Sequence, residues 1–95
     1  MKLYLCGPMS GLPDLNYPAF HAAADLLRAD GHEVINPAEN PAPPCKSWRG
    51  YMRMSVAQVA QCEAIAVLPG WEKSRGATLE MHIARQLDLI VMELP

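Results

Sequence analysis

Apolar positions along the chain fall into short runs separated by stretches with a three-to-four-residue beat. The runs are Leu3 to Cys6, Glu33 to Asn36, Ala64 to Leu68 and Leu89 to Glu93, each of strand length. Between the first two, Phe20, Ala23, Ala24 and Leu27 share one helical face. Pro18 stands where a first-turn proline is tolerated, and Asp30-Gly31 supplies a stop. From Ser47, a hydroxyl N-cap, Met52, Val56, Val59 and Ala60 predict a second helix to about Gln61. Leu79, Ile83, Ala84 and Leu87 predict a third from about Gly76. Strands alternating with helices predict an α/β sandwich of three layers around a four-stranded parallel sheet. Each connection is long enough for a right-handed crossover, which gives the strand order 2-1-3-4.

The connections place a site before any chemistry is considered. Residues 7 to 17, 37 to 46 and 69 to 75 each follow a strand, so in a parallel sheet all three loops emerge at its carboxyl edge. That edge is where open α/β sheets bind ligands. The second loop contains Pro37, Pro41, Pro43 and Pro44 and reads as an ordered flap that neither helix nor ladder can absorb.

Composition narrows the class. At 95 residues the chain is one domain, residues 1–95, and with 51% hydrophobic and 19% charged residues it is globular rather than disordered. A net charge of -2 gives no electrostatic footprint for a nucleic acid polymer or an anionic membrane, while a nucleotide monomer remains compatible. Cys6, Cys45 and Cys62 are odd in number and unclustered, which argues against a disulfide framework and a zinc site and for a reducing, cytoplasmic compartment. No apolar run is long enough for a signal peptide or a membrane span. Burial of about 145 kcal/mol worth of apolar surface barely exceeds an ordering cost of about 142 kcal/mol, so association is expected to help. Trp48, Tyr51 and Met52 on the second helix are the expected surface of a twofold homodimer.

Two segments carry candidate chemistry. In Tyr4-Leu5-Cys6-Gly7-Pro8-Met9-Ser10-Gly11 a strand runs into a glycine-containing turn, either a plain connection or a place where backbone N–H groups approach an anion. In Pro69 to Glu80, residues Ser74 to Ala77 open the third helix, whose unpaired N–H groups favour a phosphate or carboxylate. Glu80 lies one turn in, where the helix dipole is expected to keep it ionised. It is either a glycosidic nucleophile or a carboxylate that merely complements the dipole. Trp71 either stacks on a base or covers the sheet end. His21, His32 and His82 are scattered and receive no role.

Together the segments Tyr4 to Gly11, Asn16 to Phe20, Gly31 to Pro37 and Leu68 to Ala77 with Glu80 resemble the nucleoside 2-deoxyribosyltransferase superfamily. The chain is more closely similar to a small phage and bacterial domain family of unknown function within it. The resemblance implies a small flavodoxin-like, Rossmann-like fold and cleavage or transfer at the N-glycosidic bond of a nucleoside or its 5-phosphate. On it, Glu80 falls on the nucleophile and Tyr4 on the tyrosine that supports it. Ser74 and Gly76 fall on the residues that hold the 5-phosphate, and Gly7, Pro8, Met9 and Ser10 on the loop lining sugar and base. Asn16 lies in a matching segment. The resemblance implies no metal or organic cofactor, and it implies a homo-oligomer.

Two positions depart from that pattern. Ser55 stands where the superfamily has an aspartate that assists base and sugar recognition, and Ser10 replaces an arginine of the nucleotide hydrolases. Two readings follow: an enzyme using Glu80 with another acid or another substrate, or a nucleotide-binding module without turnover.

Overall fold

The structure, a computed structural model, describes all residues 1–95. Four strands, β1 (Lys2–Cys6), β2 (Glu33–Ile35), β3 (Ala64–Val67) and β4 (Ile90–Glu93), form one parallel sheet in the order β2-β1-β3-β4. Three helices, α1 (Tyr17–Ala29), α2 (Trp48–Ala60) and α3 (Arg75–Gln86), fill the crossovers. The fold is the expected α/β arrangement in the expected strand order.

Alternation along β1 divides the core between the two sheet faces. Leu3 and Leu5 join Ala64 and Ala66 under Phe20, Ala24 and Leu27 of α1. Tyr4 and Cys6 join Ile65 and Val67 on the other face, packed with Val59 of α2 and Ala77, Met81 and Ala84 of α3. A strand covered on both faces has no polar side to show, which is why β1 and β3 read as continuous apolar runs. Side-chain caps fix the helix starts: Ser47 accepts from the Gly50 N–H in α2, and Ser74 accepts from the Ala77 N–H in α3.

Several element bounds differ from the sequence reading by a residue, each for a local reason. β2 ends at Ile35 because the Asn36 side chain turns back to accept from the Ala38 N–H, opening a short 3-10 turn at Pro37–Glu39. Pro37 leads that turn, so the proline-rich flap is not wholly without helical structure. β4 begins at Ile90 because Asp88 takes a left-handed conformation, φ 57°. α3 begins at Arg75, one residue earlier than expected, because Ser74 is its cap.

The loop after β1 contains a feature that sequence patterns did not suggest. Asp14, Leu15 and Asn16 are successively left-handed, with φ of 51°, 54° and 60°. Such a conformation costs a non-glycine residue about 1–2 kcal/mol. Asn16 offsets part of this by donating from Nδ2 to the Pro8 carbonyl at 3.0 Å, which ties the loop into a compact turn.

Candidate functional site

A cleft of about 280 Å³ opens at the carboxyl edge of the sheet. Its floor is Tyr4 from β1 with Ser55 from α2 and Ala77 and Glu80 from α3. Gly7, Met9 and Ser10 line one side, Ser74 and Gly76 another, and Pro37 and Asn40 reach in from the flap. Leu15, Tyr17, Phe20, Trp48, Tyr51 and Met52 complete the wall.

At the floor, the Tyr4 hydroxyl donates to Glu80 Oε2 at 2.8 Å, and both side chains are buried. Burial raises the Glu80 pKa above the ordinary carboxylate value, against the opposing hydrogen bonding of Tyr4, Cys6 and Ser55. Glu80 sits far enough inside for desolvation, beyond the helix dipole, to bear on its charge. Burial, followed by the charge of Glu80, raises the Tyr4 phenol well above its usual value. Cys6 is likewise raised by burial, and its thiol points to the Ala77 carbonyl at 3.5 Å. Ser55 is buried beside these groups, and its hydroxyl donates to the Tyr51 carbonyl at 2.9 Å.

The structure brings Tyr4, Gly7, Met9, Ser10, Ser55, Ser74, Gly76 and Glu80 to one cleft. It leaves three expected residues outside the lining. Pro8 and Asn16 serve the loop itself, through the bond between them. Trp71 does not reach the cleft: it follows the left-handed Gly70, packs against the core face of Tyr4 and Ile65, and has the Arg85 guanidinium 5.7 Å from its ring centroid. The sheet-covering alternative for Trp71 is the one the structure shows.

Glycine at two of these positions has a packing reason. A Cβ at Gly7 would lie 2.8 Å from the Leu68 Cβ, and one at Gly76 would lie 3.1 Å from the Met52 Sδ. Beside Gly76, Ser74 caps α3 while the first-turn N–H groups of Arg75 and Gly76 have no partner inside the helix.

The residues missed by sequence reasoning are mostly the aromatic wall. Trp48 and Tyr51, expected as an oligomer surface, line the cleft, and Met52 is buried by its own chain at 8% exposure. The Arg75 guanidinium lies 3.7 Å from the Trp48 ring centroid, joining the start of α2 to the start of α3. Position three residues before Ser55 on the same helix was the available signal for Met52, and four before it for Tyr51. His21 lies beside Asn36 and Tyr17 and does not line the cleft, and neither do His32 and His82.

Nowhere do three His, Cys, Asp or Glu side chains converge as a metal site, and no helix is long and apolar enough to cross a membrane. No curated protein matches the chain. A family model described as "Domain of unknown function (DUF4406)" matches residues 1–93, nearly the whole fold and every residue of the cleft. The chain thus belongs to the DUF4406 family of domains of unknown function.

Proposed function

We propose that the cleft cleaves or transfers at the N-glycosidic bond of a nucleoside or nucleoside 5-phosphate, ribosyl or deoxyribosyl, with Glu80 as nucleophile. The observation that carries this reading is the buried Glu80 carboxylate at the cleft floor, oriented by the 2.8 Å bond from Tyr4. That bond holds the carboxylate in place at the floor, where one of its oxygens meets C1 of the sugar. Attack forms the C1–O bond as the C1–N bond breaks, and water or a second base resolves the glycosyl-enzyme. Ser74 and the Gly76 N–H receive the 5 end of the sugar, where the positive end of the α3 dipole favours a phosphate. Gly7, Met9 and Ser10 border the sugar and base. The resemblance to the nucleoside 2-deoxyribosyltransferase superfamily supports the same roles for Tyr4, Ser74, Gly76 and Glu80. Association into a twofold dimer belongs to this reading too.

The second reading, a nucleotide-binding module without turnover, is favoured by one observation: no Asp lines the cleft and Ser55 stands in the aspartate position. Incubation with a panel of nucleosides and nucleoside monophosphates, with free base measured by chromatography, separates the two. Base release that falls by about three orders of magnitude or more in Glu80→Gln, with binding retained, supports the nucleophile. Tight nucleotide binding with no release from any substrate supports the module. In that case Ser55→Asp tests whether the missing acid is the cause.

A further inference from the structure

We propose that the cleft selects N-glycosides whose base carries a positive charge, such as an N-alkylated purine or a pyridinium nucleoside. The cleavage half of this inference rests on the Glu80 reading above, whereas the selection half is a statement about binding.

The charge inventory of the cleft is one-sided. None of its lining residues is Lys, Arg, His or Asp, and Glu80 is the sole carboxylate. Around it stand the rings of Tyr17, Trp48 and Tyr51 and the thioethers of Met9 and Met52. Aromatic faces carry negative potential and attract cations, organic ones included. The chain itself uses Trp48 in this way, since Arg75 rests 3.7 Å from its centroid. Arg75, which stacks on this wall, is not among the lining residues. The positive end of α3 adjoins Ser74 and Gly76, the place assigned to the 5 end of the sugar rather than to the base.

Leaving-group chemistry points the same way. A neutral base expelled from C1 departs as an anion unless a proton is delivered to it, and beside Glu80 at the floor of this cleft the donors present have their protons engaged elsewhere. The Tyr4 proton is committed to Glu80, and the Ser55 proton to the Tyr51 carbonyl. The Cys6 thiol is turned to the Ala77 carbonyl and, like the phenol, is made less acidic by burial. A cationic base needs no proton. As the Glu80 oxygen bonds to C1, the C1–N electron pair returns to the ring nitrogen, cancels its charge and releases a neutral base. Water then attacks the glycosyl ester, the sugar gains a hydroxyl, and the carboxylate is restored with one proton lost to solvent. A cation beside Glu80 also favours its ionised form, against the burial that disfavours it.

The test compares nicotinamide riboside with its uncharged dihydro form, which has the same sugar and nearly the same ring, by calorimetric titration. At least about tenfold tighter binding of the cation is expected. Tyr51→Leu should reduce that ratio severalfold and Tyr51→Phe preserve it; Tyr51 is 42% exposed, so neither change opens the core. Equal or tighter binding of the uncharged form overturns the proposal. In parallel, base release from N7-methylguanosine is compared with release from guanosine, each corrected for its uncatalysed rate. Faster release from the cation supports the proposal. Release from guanosine alone preserves the role of Glu80 and overturns the selection. Release from neither, with cation-selective binding, overturns the nucleophile reading and supports the selection.

Discussion

If Glu80 is the nucleophile, its burial sets stability and activity against each other. Its raised pKa means that, between the ordinary carboxylate value and the folded value, the unfolded chain has lost a proton that the folded chain keeps. Stability then falls as pH rises through that window, and the loss is absent when the group cannot ionise. Glu80→Gln is therefore expected to be at least as stable as wild type at about pH 8, the difference closing toward about pH 4, as read by denaturant melts. A variant clearly less stable at the higher pH would show that the charged carboxylate is favourable in place. If Glu80 is the nucleophile, glycosidic activity should rise with pH through the same window. The cysteines give a second expectation at this scale. Hydrogen bonding to Ser47 lowers the pKa of exposed Cys45, whereas burial raises those of Cys6 and Cys62. Mass spectrometry after brief iodoacetamide treatment of native protein should find Cys45 modified first. Of the floor residues, Glu80 was legible as a carboxylate one turn into a helix that starts at the carboxyl-edge loops, whereas Tyr4 came forward only through the family resemblance. The tryptophans were not legible, because Trp71 stands beside loop glycines as a ligand-stacking residue would, yet it packs against the core.

Among elements, the regular ones were readable and the turns were not. Strand and helix periodicities follow from one-sided or two-sided burial, which the order of apolar and polar positions displays. The left-handed run Asp14, Leu15 and Asn16 lacks glycine, so nothing in its residue types announced that Leu15 would enter the cleft. Gly7 was readable as a glycine that matters but not for the reason the structure gives. The turn after β1 approaches Leu68 so closely that a Cβ would stand 2.8 Å from its Cβ, an atom fixed to backbone and unable to swing aside. Gly7→Ala should cost about 1–3 kcal/mol through overpacking, measured by chemical denaturation. An unchanged midpoint would mean that β1 and the chain after β3 slide apart easily.

The whole molecule exposes 5610 Å², near the roughly 5,400 Å² that its mass predicts, so the thin core inferred from length holds. Trp48 and Tyr51, the surface expected for a partner, line the cleft and are exposed at 39% and 42%. The remaining large exposed apolar residues include Leu26 at 71%, Ile90 at 55%, Leu87 at 52% and Val91 at 39%, of which Ile90 and Val91 lie on the edge strand β4. Light scattering at micromolar concentration is expected to give twice the chain mass; a particle of 10.4 kDa would refute association. Sheet order was legible because crossover length and handedness leave few alternatives, whereas the place of Trp48 and Tyr51 in the cleft wall was not, because an exposed ring and a cleft-lining ring share the same helical spacing. The Tyr4 to Glu80 bond joins residues 76 positions apart in the chain. β1, α1 and β2 can meet through short connections soon after they are synthesised, yet Tyr4 gains its carboxylate only when β3 has paired beside β1 and α3 has docked. A nascent chain or a proteolytic fragment ending before Glu80 thus lacks the bond, and recovery of the cleft during refolding would serve as a clock for the last long-range step.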